Sequence, residues 1–91
     1  MDGLTEGRIV HYVLPDGRSK GEHRPAIVVK VWRVGEASYP PENGVSNLQV
    51  FTDFSNDYDG DHPGHTGQFW ATSVEYNAEK ELGTWHWIEP A

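Results

Sequence analysis

The chain has 91 residues, 36% of them hydrophobic and 12% aromatic, with a net charge of −7; this is one domain, residues 1–91, with a small core. It has no cysteine, which excludes disulfides, thiolate catalysis and Cys-ligated zinc. The global acidity excludes general DNA or RNA binding, which needs a broad basic surface, and no apolar stretch approaches the ~20 residues that span a bilayer.

The first predicted strand is Gly7 to Leu14, with Ile9, His11 and Val13 on one face and Val10, Tyr12 and Leu14 on the other. Pro15-Asp16-Gly17 ends it, Pro presetting one turn dihedral and Gly supplying a positive φ. A polar, basic excursion over 15–25 leads into the second strand, Ala26 to Val34. Its run Ala-Ile-Val-Val-Lys-Val-Trp places Ile27, Val29 and Val31 on the side read as core, with Val28, Lys30 and Trp32 on the other. Pro40 and Pro41 keep the stretch Gly35 to Gly44 out of the sheet, because neither has a backbone donor.

A third strand follows over Val45 to Thr52, with Leu48 and Val50 inward and Asn47, Gln49 and Phe51 on the opposite parity. Asp53 to Gly67 is a long acidic loop, of a length that is uncommon inside a compact domain. The fourth strand, Gln68 to Tyr76, carries Trp70, Thr72, Val74 and Tyr76 on one face. Asn77 caps a predicted helical turn, Ala78 to Leu82, which Gly83 ends before the last strand, Thr84 to Ile88. Five strands with one helical turn before the last predict an all-β fold, a small SH3-like β-barrel, with a five-stranded OB-like barrel as the alternative. The opening phrases Gly-Arg-Ile-Val and Arg-Pro-Ala-Ile-Val-Val are also similar to small toxin barrels of the MazF/PemK type, which bears on fold alone.

Charge is unevenly placed. Six of the seven Lys/Arg residues lie between Arg8 and Arg33, where only Asp16 and Glu22 oppose them; the rest of the chain has Lys80 against twelve acids. Such a local basic patch suits a small anionic ligand, although ordinary pairing of surface charges has the same appearance. Arg24 can fork a phosphate or carboxylate, with His23, Lys20 and Arg18 beside it, and Pro25 forces an extended entry to the strand. Asp53, Asn56 and Asp57 lie nearest the end of the third strand, where they can bond sugar hydroxyls or base amino groups or simply shape a turn. Thr52, Thr72 and Ser73 add hydroxyls if the third and fourth strands are neighbours.

Trp32 and Trp70 are candidate stacking platforms, since a flat ring stacks on a nucleobase with ~1–3 kcal/mol per base; core filling is the competing role of any Trp here. The acidic loop offers Asp53, Asp57, Asp59, Asp61, His62 and His65, but Asp57-Tyr58-Asp59-Gly60-Asp61 does not have the spacing of an EF-hand, so no metal is expected. His11 and His86 read as structural residues of the sheet, and no serine has an evident base partner, so no catalytic residue is assigned.

The segments Gly-Arg-Ile-Val-His-Tyr-Val-Leu-Pro-Asp-Gly (7–17), His-Arg-Pro-Ala-Ile-Val-Val (23–29), Asn-Leu-Gln-Val-Phe-Thr-Asp (47–53), Trp-Ala-Thr-Ser-Val (70–74) and Gly-Thr-Trp-His-Trp (83–87) resemble a group of short proteins encoded by tailed phages and prophages. Phe54 stands where that group leads one to expect Gly. The resemblance implies a small protein of the host cytoplasm that counters host defence. One class of such proteins sequesters nucleotide immune signals, cyclic dinucleotides or cyclic ADP-ribose derivatives, without cleaving them, often as homo-oligomers. A nucleotide-sequestering phage protein with no cofactor and no membrane partner is therefore the expected function. A protein-interaction barrel that inhibits a host protein and a metal-dependent nucleotide hydrolase using Asp53, Asp57 and the loop histidines are the alternatives.

Overall fold

A computed structural model describes residues 1–32, 44–59, 62 and 65–90. Among the described residues, five strands form one antiparallel sheet: β1 Ile9–Val13, β2 His23–Val31, β3 Ser46–Phe51, β4 Gln68–Val74 and β5 Trp85–His86. Their spatial order is β4-β3-β2-β1-β5, so the first four make a meander and the last returns to the free edge of β1. A single parallel bridge, Tyr76↔Trp85, links the segment after β4 to β5. No helix among the described residues is long and apolar enough to cross a membrane.

One face of this sheet carries the core, with Val10, Tyr12, Ala26, Val28, Leu48, Val50, Ala71 and Trp85 buried and in one cluster. The inward parity of β3, Leu48 and Val50, is the expected one. That of β2 is reversed from expectation: Ala26 and Val28 are buried, whereas Ile27 and Val29 are 36% and 45% exposed. Val31 nevertheless returns to the interior because β2 is bulged. Val28 faces Leu48 and Lys30 faces Asn47, leaving Val29 as an extra residue that inverts the alternation after it.

A second bulge lies across the same point of β3. Leu48 faces Ala71 and Ser46 faces Val74, so β4 holds the extra residue, and Ser73 takes the left-handed φ of +54°. Asn47 ties both bulges together. Its Oδ1 accepts from the Ser73 amide at 2.9 Å, the Thr72 hydroxyl at 3.0 Å and the Trp32 indole at 3.1 Å. The fourth strand therefore does not keep one face: Trp70 and Thr72 point outward, and Val74 points inward.

The helical turn also sits elsewhere than expected. The only helical turn among the described residues, α1 Phe54–Asp57, follows β3, whereas 78–83 contains only turns. Asn77 does bond the Glu81 amide, but Lys80 adopts φ +60°, which a continuing right-handed helix forbids. Phe54 opens α1 with φ +39°, a region that favours glycine. Strand ends are shorter than expected except at β2, which starts at His23. Arg33 and Val34, the stretch 35–43, Asp61 and the dipeptide 63–64 lie outside the described residues.

Candidate metal centre

The sheet order brings three histidines from three strands to one place. His11 of β1 lies directly across from His86 of β5 on one side and from Pro25 of β2 on the other. Two residues before Pro25, and therefore on the same face, is His23. The imidazole centroids are 5.8 Å apart for His11–His86, 4.6 Å for His23–His86 and 6.5 Å for His11–His23. Glu89, three residues beyond His86, folds its carboxylate back among them. Its Oε1 meets His86 Nε2 at 2.5 Å, His23 Nδ1 at 2.7 Å and His11 Nδ1 at 3.3 Å. Its Oε2 meets the Lys80 ammonium at 3.2 Å.

Three imidazole nitrogens and one carboxylate oxygen thus lie within 4.8 Å of one another, the one such group among the described residues. A tetrahedral Zn–N shell has donors about 3.3 Å apart; the donors here lie up to 4.8 Å apart, while Glu89 Oε1 is only 2.5–3.3 Å from the ring nitrogens, so admitting an ion would draw the rings together and the carboxylate back. The donor chemistry, imidazole with carboxylate and no thiolate, suits Zn²⁺, Cu²⁺, Ni²⁺, Co²⁺ or Fe²⁺ rather than Ca²⁺ or Mg²⁺. Without an ion, three ring nitrogens compete for a single oxygen that has two lone pairs. That competition holds the Glu89 carboxyl well below the usual carboxylate range, the His86 contact being the largest cause, then His23 and His11. Burial pushes the His86 imidazole down, and Glu89 opposes that shift. His86 Nδ1 is buried with no hydrogen-bond partner among the described residues, so packing rather than an outer bond orients this ring.

The residues expected from the sequence to form one ligand site occupy several places. His23 belongs to the histidine cluster. Its neighbour Arg24 projects to the other face of β2 and forks the buried Asp57 carboxylate, Nε to Oδ2 at 2.7 Å and Nη2 to Oδ1 at 2.8 Å. Asp57 Oδ2 also accepts the Asp53 amide at 2.7 Å, and the Asp57 carbonyl accepts the Arg18 amide at 2.9 Å. Arg18 reaches the Ser55 carbonyl at 3.2 Å, and Asn56 bonds the Asp53 carboxylate at 3.2 Å. Arg18, Arg24, Asp53, Asn56 and Asp57 are therefore brought together, but around an ion pair that pins α1 to β2. The Arg24 guanidinium is engaged there rather than displayed to an anion.

Trp32, Thr72 and Ser73 gather at Asn47. Lys20 is exposed, Thr52 is half-buried at the end of β3, and Trp70 is 52% exposed on the outer face of the sheet. The described part of the acidic loop forms a depression of about 270 Å³ lined by Phe54, Tyr58, Asp59, His62, His65 and others. There His62 bonds Asp59 at 3.2 Å and His65 stacks on Phe69 with centroids 4.5 Å apart.

Sequence reasoning passed over His11, His86 and Glu89. The usable signal was His86-Trp87-Ile88-Glu89 at the end of a meander whose last strand must find a partner edge, together with the like parity of His11 and Val13 on the first strand. Comparison with protein-family models, with curated proteins and with solved structures finds no match to this chain.

Proposed function

We propose that this chain binds a divalent first-row transition metal, with Zn²⁺ as the reference ion, through His11, His23, His86 and Glu89. The observation that carries the reading is the convergence of four donor atoms from β1, β2, β5 and the segment after β5 within 4.8 Å. Zn²⁺ calorimetry on the metal-free chain tests it. One equivalent should bind, and His11→Ala or His23→Ala, both at partly exposed positions, should each weaken binding by about 10-fold or more. Zn²⁺ binding that is absent, or unchanged in both variants, sinks the reading.

A second reading is kept for one observation, the half-exposed Trp70 indole with Gln49 directly across from it and Thr72 two residues along. That is a stacking surface with hydrogen-bonding neighbours, of the kind a nucleotide-sequestering phage protein of the host cytoplasm would use, as a homo-oligomer. Calorimetry with a panel of cyclic nucleotides, followed by recovery of intact ligand, tests this; no binding at micromolar concentration counts against it. A metal-dependent nucleotide hydrolase would on this geometry use the histidine cluster rather than Asp53 and Asp57. For the architecture we favour an SH3-like barrel over an OB-like one: a meander of four strands whose fifth returns to β1 is supported by the strand order and by the Tyr76↔Trp85 bridge.

A further inference from the structure

Resting on the metal-binding reading, we infer that the ion held by His11, His23, His86 and Glu89 keeps a solvent-facing coordination position that accepts a phosphate-class oxyanion, with Lys80 as the second cation. The cluster has a closed back and an open front. The His86 side chain is only 4% exposed, whereas His11, His23 and Glu89 are 26%, 29% and 34% exposed. A ligand approaching the ion therefore comes from the side of His11, His23 and Glu89.

Glu89 is already divided between two tasks. With Oε1 toward the imidazoles and Oε2 on the Lys80 ammonium, it supplies one oxygen to an ion rather than two. The protein then provides four donors; Co²⁺, Ni²⁺ and Fe²⁺ on such a nitrogen–oxygen set take a fifth or sixth ligand, and Zn²⁺ takes a fifth by expanding its tetrahedral shell. Charge completes the argument. A divalent ion with three neutral imidazoles and one carboxylate keeps one net positive charge, and Lys80 adds another within reach of the same carboxylate. This is a local cationic pole on a chain of net charge −7, so an oxyanion is the ligand that neutralises it.

The test uses the full chain loaded with Co²⁺, whose visible absorption reports coordination number, titrated with inorganic phosphate and with sodium chloride as the ionic-strength control. The expected result is a saturable change of the Co²⁺ bands with phosphate and none with chloride. Lys80→Gln should raise the phosphate concentration at half-saturation about fivefold, the factor for losing one half-exposed charge contact. If Co²⁺ binds and phosphate leaves its bands unchanged, or strips the ion to its free spectrum, the open position is refuted while the metal reading stands. If Co²⁺ does not bind, the metal reading itself has failed.

Discussion

The contact between Arg24 and Asp57 gives the sharpest stability prediction. Asp57 is fully buried, takes two guanidinium N–H bonds, accepts the Asp53 amide and also receives a Ser19 bond. Asp57→Ala removes one partner of a buried charged pair, which costs about 3–5 kcal/mol. The Arg24 side chain is 24% exposed, so water recovers part of the loss and the expected cost is at the lower end, about 3 kcal/mol. A domain of this size has roughly 5–14 kcal/mol in total, so the variant should still fold, with Tm lowered by about 12–24 °C. Urea unfolding followed by tryptophan fluorescence measures it. Arg24 holds the Asp57 carboxyl well below its ordinary range, the Asp53 amide and Ser19 assisting and burial opposing. A lowered folded-state pKa means that the stabilisation is complete above the unfolded Asp value of about 3.9 and is lost as pH falls below it. The gap between wild type and Asp57→Asn should therefore be widest at neutral pH and narrow steadily toward about pH 2.5, the other carboxylates cancelling in the difference. A gap below about 1 kcal/mol at neutral pH, or one that does not narrow in acid, refutes the reasoning. The double replacement Arg24→Met with Asp57→Leu should recover most of the loss, since no unpaired charge is left buried.

Three further substitutions probe the frame and its outer face. Gly17→Ala places a methyl 2.7 Å from the Asp57 carbonyl and the Tyr58 ring at a backbone φ of +85°, and should cost about 2 kcal/mol or more by denaturant unfolding. Asn47→Ala leaves the Trp32 indole, the Thr72 hydroxyl and the Ser73 amide without their shared acceptor; about 2 kcal/mol is expected, with a changed Trp32 emission. Trp70→Ala removes a half-exposed ring and should alter stability by no more than about 0.5 kcal/mol, while abolishing nucleotide binding if the second reading holds; calorimetry and thermal melts report the two effects separately.

Period-two alternation located five strands and the inward pair Leu48 and Val50, because β3 is regular over those residues. It misassigned Ile27 and Val29 for a physical reason. A bulge adds one residue without changing composition, so a continuous Val/Ile run has no mark at which its parity inverts. Ser73 poses the same problem on β4, since a serine rarely adopts the positive φ found there. Arg24 and Asp57 were both legible as functional types, but a pairing across 33 residues depends on how the loop folds back. Arg24 therefore read as an anion contact and Asp57 as a ligand contact or a turn residue, whereas each is the other's partner. The histidine cluster was hidden in a similar way. His11 and His86 are 75 positions apart in the chain, and only the docking of β5 on β1 makes them direct neighbours.

That docking also sets how the cluster would act under the metal-binding proposal. The three imidazoles project from strands paired with one another, so sheet register sets which rings meet. Glu89 is different: it lies in the segment after β5, outside the ladder, and reaches the rings only through its side chain. A face of three imidazoles with one carboxylate arm beside it would let that carboxylate serve two states. Without an ion it is the acceptor that the ring N–H groups need. With one it would supply the fourth donor, and the Lys80 contact on its other oxygen would favour a single metal–oxygen bond. The more exposed side of the cluster would then remain for a ligand from solvent. Sheet order brings the three imidazoles together, and the segment after β5 supplies the carboxylate that would have to yield.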